Sequence, residues 1–183
     1  MENNKKHNPI ALFGRVEVMV FAAFMCSLSA VMKLIAPSGD VWRISFENFP
    51  IIFSGMAFGP LIGLAVGAVS DLLGCVIRGY DINPLITVSS MFVGFIAGCV
   101  YRIFRKKEMF AVIAATFSSH MLCNVVMKTY VLSTWFGKPI PILFMERIPL
   151  YLITAAAEAI LLVILFRNKA VKAGLKRVIG HEL

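Results

Sequence analysis

Long apolar runs, separated by short polar joints, set the pattern of this chain. They cover about 14–36, 44–58, 60–78, 84–102, 109–134 and 143–166. A helix that crosses a bilayer needs roughly 20 residues. The pattern therefore predicts an all-α integral membrane protein, a bundle of six transmembrane helices. The second run is the shortest and meets the third at Gly59-Pro60. Proline suits the first position of a helix, so these two runs are expected to form a tight hairpin.

Polar residues inside the runs are few and periodic. Thr116, His120, Asn124 and Lys128 recur at every fourth position, which places them in one stripe along a helix. Arg147, Tyr151, Thr154 and Glu158 follow the same logic on the last span. Polar stripes within a membrane face protein or water, not lipid. For His120 and Asn124 the choice lies between a hydrogen-bonded seam between helices and ligand contact. Lys128 either snorkels to the interface or meets a ligand. Glu158 lies deep and needs a partner or a proton; a structural role is expected. Asp71, midway along the third span, is expected to bond to a neighbouring helix.

Composition agrees with the membrane reading. The chain of 183 residues is 59% hydrophobic and 15% charged, with a mean hydropathy of +0.83. Soluble domains are about half apolar and about a quarter charged. Six spans in this length leave no room for a soluble domain, so residues 1–183 are read as a single membrane domain with short tails. Met1 to Pro9 is polar and basic, and no small-residue cleavage site follows the first apolar run, which is therefore read as a span.

Charge sets the expected orientation. Lys5, Lys6 and Arg15, then Arg102, Arg105, Lys106 and Lys107, then Arg167, Lys169, Lys172, Lys176 and Arg177 flank the ends of spans. With an even number of spans all three groups share one face, and by the positive-inside rule that face is cytoplasmic, as are both termini. The net charge of +8 is then topological. Tail residues are placed to meet anionic lipid headgroups, and nucleic acid is not an expected partner.

Chemistry-bearing motifs are missing. There is no HExxH, GxSxG, CxxC or P-loop pattern, and Ser119 and His120 point about 100° apart on a helix. Cys26, Cys75, Cys99 and Cys123 lie in apolar runs at no motif spacing and read as small buried hydrophobes. No catalytic residue, metal or cofactor is expected.

The cations that topology leaves over are more telling. Arg43, Arg78, Lys128 and Arg147 fall on four spans at similar depth, opposite the basic face. Convergence on one outward-facing pocket for an anionic ligand is the economical reading. Glu47 and Asn48 sit at the mouth of the second span beside Arg43. Aromatic residues gather at the same level; an interfacial belt explains most of them, while Trp42 and Trp135 are also placed to clamp a flat ring. Small residues form a second set of stripes: Ala22, Cys26 and Ala30 on span one, Gly59, Gly63 and Gly67 on span three, Gly94 and Gly98 on span four. They suit close helix packing, and the span-one stripe is also read as an outward docking face.

The run Ile44-Ser45-Phe46, Pro50, Ser54-Gly55, Phe58-Gly59-Pro60, Gly63, Gly67, Asp71-Leu72-Leu73-Gly74, Gly94 and Gly98 resembles the substrate-binding S components of energy-coupling factor (ECF) vitamin transporters, most of all the folate-specific members. The resemblance implies a six-helix bundle in the cell membrane that captures a vitamin at its outer end. It also implies docking on a transmembrane T subunit driven by two cytoplasmic ATPases, with toppling of the S component to release substrate. In the family an Ala-x-x-x-Ala pattern on the first helix contacts the T subunit; here Ala22, Cys26 and Ala30 hold the corresponding places. Folate would offer the donor edge of its pterin to Glu47, assisted by Asn48, and its anionic tail to Arg43, Arg78, Lys128 and Arg147, with Tyr151 on the Arg147 face and Trp42 and Trp135 stacking. Another anionic vitamin such as pantothenate, a stand-alone secondary transporter, and a membrane enzyme using His120, Asn124 and Glu158 are the alternatives.

Overall fold

The computed structural model of the protein describes residues 11–36, 45–79, 81–137 and 139–179, and among them the chain is entirely helical. A 3₁₀ turn (Ala11–Gly14) leads into α1 (Val16–Ile35), followed by α2 (Asn48–Phe58), α3 (Pro60–Arg78) and α4 (Pro84–Ile103). The next run is composite. It joins α5 (Glu108–Ser119), a π-helical stretch (His120–Met127) and α6 (Lys128–Phe136). Then come α7 (Ile140–Arg167) and α8 (Lys169–Ile179).

Five of the described runs are long and apolar enough to cross a membrane: Val16–Ile35, Pro60–Arg78, Pro84–Ile103, Glu108–Trp135 and Ile140–Arg167. The expected sixth is not among them. The 11 residues of α2 rise only about 16 Å, at 1.5 Å per residue, against a hydrocarbon core of about 30 Å. All of them but Phe49 are buried, so α2 shows lipid almost no surface. It is a buried helix that leads the chain back from the end of α1 to the start of α3, hairpinned through Gly59, which packs against Arg102 and whose φ of 103° favours glycine. Pro60 then opens α3, as the dipeptide predicts.

Backbones touch where α2, α3 and α4 meet. A Cβ at Gly55 or Gly63 would collide with the Gly94 carbonyl, and one at Gly67 with the Ser90 carbonyl. Glycine is what allows this approach. On the other side of α3 lies α1, which turns its small-residue stripe inward. Ala22, Cys26 and Ala30 are buried, and the Cys26 thiol donates to the Val66 carbonyl of α3 at 3.8 Å. Small side chains let α3 come close and fill that face. The small residues of α1 left exposed beside the stripe are Ala23 and Ser27.

The two ends of the bundle are built differently. Toward the α4–α5 joint, aromatic rings interlock: Phe21 on Phe58 at 5.1 Å, Phe53 on Phe166 at 5.4 Å and Tyr101 on Phe166 at 5.5 Å. α8 closes this end. Its Val171, Leu175 and Val178 recur at helical spacing and pack on the core, and Lys172 Nζ meets Glu108 Oε2 at 2.7 Å. The basic tail of the sequence reading is thus in large part an amphipathic helix. Toward the opposite end, where α1 finishes and α2 and α7 start, the interior is polar.

Candidate ligand-binding site

Glu47 and Asn48 open α2 inside that polar end, both buried. The Glu47 carbonyl accepts from the Ser29 hydroxyl of α1 at 2.7 Å, and its N–H donates to Ser45 Oγ at 3.1 Å, so the backbone here is held from two sides. The Glu47 carboxylate lies 3.9 Å from Lys128 Nζ on α6. This is the first pairing of two residues singled out in the sequence.

The fifth span supplies the next layer. In an α-helix, residues four apart slip sideways by about 40°. The π-helical stretch, closed by i→i+5 bonds, has more residues to each turn and shifts that register. His120 and Asn124 lie within this stretch and Lys128 directly follows it, and all three are buried. Thr116, one turn earlier, spends its hydroxyl on the Val112 carbonyl of its own helix at 2.8 Å.

Two residues of α7 reach into this stripe. His120 Nε2 lies 2.8 Å from Glu158 Oε2, with neither side chain exposed at all. The deep glutamate thus finds its partner on the neighbouring span. Nearer the polar end, Arg147 donates from Nη2 to the Asn124 carbonyl at 3.0 Å and to the Tyr151 hydroxyl at 3.2 Å, and its guanidinium lies 5.1 Å from the centre of the Tyr151 ring. Pro149 lies inside α7 between these two residues. Lacking an N–H, it leaves the carbonyl of Met145 without its usual helical donor.

A second ion pair stands beside the first. Lys33 Nζ of α1 meets Asp71 Oδ1 of α3 at 2.7 Å, and Asp71 Oδ2 accepts from Thr87 of α4 at 2.8 Å. Side chains on a helix lean toward its N-terminus, so Lys33 reaches back along α1, and its stem lies across Gly74, where a Cβ would displace it. Asp71 is bonded to two neighbouring helices, the structural role expected of it. Between this pair and Glu47 lies a cavity of about 10 Å³, lined in part by Ser29, Lys33, Glu47 and Asp71. That is room for about one water, far below the several hundred Å³ of a vitamin pocket.

The polar end holds buried atoms that the fold leaves unbonded among the described residues: Asn48 Oδ1, Asn124 Oδ1, Thr129 Oγ1 and Arg147 Nε. Each such group costs about 1–3 kcal/mol unless something meets it. The arrangement can therefore receive a ligand that brings both N–H donors and an anionic group. Among the described residues no group of three His, Cys, Asp or Glu could hold a metal ion.

Comparison with known proteins settles the kind of molecule this is. The family model "ECF transporter, substrate-specific component" matches residues 17–179. The chain belongs to that family. It is a transporter's substrate-binding component, not an enzyme. The folate transporter FolT of Clostridium novyi (strain NT) is 34% identical over 140 residues, which cover 73% of this chain and 78% of that protein. Among solved structures, FolT bound with folic acid superimposes with a TM-score of 0.69 at 23% identity, covering 79% of this chain and 89% of that one. The S component of a bacterial ECF transporter does so with a TM-score of 0.58 at 19% identity, covering 82% and 93%. At these identities the two structures speak for the fold.

The remaining sequence candidates of this S component are placed as follows. Arg78 Nη2 donates to the Leu34 and Ala36 carbonyls at 2.7 and 3.0 Å, capping the end of α1. Trp135, on the last turns of α6, is 59% exposed, which suits an interfacial belt. Trp42 and Arg43 lie outside the described residues. Two partnerships escaped the sequence reading, Lys33 with Asp71 and His120 with Glu158. A signal for the second existed. On antiparallel spans, His120 lies 12 residues from the start of α5 and Glu158 nine from the end of α7, so their depths agree within about 5 Å.

Proposed function

We propose that this S component binds folate with high affinity and serves as the capture subunit of an ECF-type vitamin importer. The observation that carries the reading is the 34% identity to a folate transporter over most of both chains. The buried polar end supports it chemically. Folate is flat, carries a fan of N–H donors along its pterin edge and ends in carboxylates. Glu47, with Asn48, suits the donor edge, and Lys128 and Arg147 suit the anionic tail through charge-assisted bonds. Arg43, Arg78, Tyr151, Trp42 and Trp135 complete the proposed ligand set.

The whole chain, residues 1–183, acts as one membrane domain in the plasma membrane with both termini in the cytoplasm. This orientation rests on the basic residues around the α4–α5 joint and α8. The polar end then faces outward, where folate arrives. Delivery inward requires a transmembrane T subunit and two ATPases, and α1 is the docking helix, as in the family. With Ala22, Cys26 and Ala30 turned toward α3, the small residues available to a partner are Ala23 and Ser27.

Calorimetry on the detergent-purified protein tests the substrate. Submicromolar binding of folate, undisturbed by pantothenate or thiamin, is the expected result. A folded protein that ignores folate but binds pantothenate would transfer the proposal to that vitamin. Uptake of labelled folate by cells should require the ECF ATPases; uptake without them would make the protein a stand-alone transporter.

A further inference from the structure

The surroundings of Asn124 bear on the choice between a helix seam and a ligand contact. His120 Nε2 faces Glu158 Oε2 at 2.8 Å, and His120 Nδ1 faces Asn124 Nδ2 at 3.3 Å. A neutral imidazole has one N–H and one lone pair. In the tautomer that donates Nε2–H to the carboxylate, Nδ1 accepts, which matches the Asn124 amide NH₂ facing the ring. Its Oδ1 is thereby turned away from His120, fully buried and without a partner among the described residues. Nor is the backbone of Asn124 idle, for its carbonyl takes the Arg147 guanidinium. The next residue along the stripe, Lys128, is the one that meets Glu47.

We infer, resting on the folate reading, that Asn124 is a ligand-contacting residue. Its side-chain oxygen accepts from an N–H on the pterin edge, alongside Glu47 and Asn48, and His120 and Glu158 are positioning residues that hold the amide turned that way. Seam packing alone would not require an unbonded oxygen at zero exposure. Three acceptors also suit a ligand edge rich in donors better than they suit an anion, which Glu47 would repel. The two sides of the site then divide the ligand: acceptors from α2 and the π-helical stretch read the ring, and Lys128 and Arg147 take the carboxylates.

The test compares folate with its 2-desamino-2-methyl analogue, which lacks the ring amino group, by calorimetry on the intact protein. The unchanged protein is expected to prefer folate. Asn124→Leu should weaken folate binding about 10- to 100-fold while changing analogue binding only a few-fold. If Asn124→Leu does not fold, Asn124→Ser is held to the same criterion. Full affinity and full discrimination in a folded variant overturn the inference and leave the folate reading intact. No folate binding by the unchanged protein overturns both. For the positioning residues, Glu158→Gln keeps an oxygen that can accept from Nε2–H and should preserve discrimination, while Glu158→Leu should lose it. Equal loss in both removes the positioning role.

Discussion

The aromatic end and the polar end of this bundle share helices but solve opposite problems. Around Phe53, Phe58, Tyr101 and Phe166 the interior is closed by packed rings. Around Glu47, Asn124, Lys128 and Arg147 it is buried yet incompletely bonded, and the fold bears the cost of polar atoms without partners. The difference teaches where stability and binding are separated. The packed end keeps five long spans together, so the other can hold charges in wait for a ligand. The Lys33–Asp71–Thr87 network belongs to the polar end by position but to the packed end by purpose, since its three partners tie α1, α3 and α4.

Five single substitutions can break or sharpen that comparison. Phe53→Ala should lower stability the most, by about 3–5 kcal/mol, with folate affinity per folded molecule preserved; thermal unfolding in detergent and calorimetry read the two effects separately. Lys33→Met leaves Asp71 buried without its cation and should cost about 3–5 kcal/mol, the typical penalty for breaking a buried pair. Replacing Asp71 with Asn in the same molecule should recover part of the loss. A ligand effect with no loss of stability would move this pair into the binding site. Arg147→Ala is expected to do the reverse of Phe53→Ala. It should weaken folate binding by about 2–5 kcal/mol and leave the unfolding temperature within a few degrees; unchanged affinity would make Arg147 a helix tie. Cys26→Leu overpacks the α1–α3 contact and should cost about 1–3 kcal/mol of stability. Ser27→Leu, one residue round the same helix, should fold and bind normally but slow ATPase-dependent uptake. Normal uptake by Ser27→Leu would take the docking role away from that face.

Much of the fold was legible because lipid demands long apolar helices whatever packs against them. The spans at 60–78 and 84–102 meet α3 and α4 to within a residue. The hairpin at Gly59-Pro60 is local chemistry, visible in two letters. α2 shows where the pattern stops being decisive: a helix buried by its neighbours and one buried by lipid are equally apolar, and only length separates them. α8 was hidden by its charge, although Val171, Leu175 and Val178 carry the helical period. In the site, the stripe His120–Asn124–Lys128 was readable at a spacing of four, but the π-helical stretch that carries it was not.

The sequence by itself determined that this chain spans a membrane, that its basic residues gather at one end, and that uncompensated polar residues gather toward the other. Those follow from composition and period, which depend on the solvent more than on neighbours. Only the tertiary structure decided which partners they take. It gave Arg78 to the end of α1 and Lys33 to Asp71, turned Ala22, Cys26 and Ala30 inward, and set Glu158 on His120. A cation within a span can meet a ligand, a carboxylate or a helix end at similar cost. Which one it meets depends on the rotation and depth of each helix against the next, and no single helix encodes that.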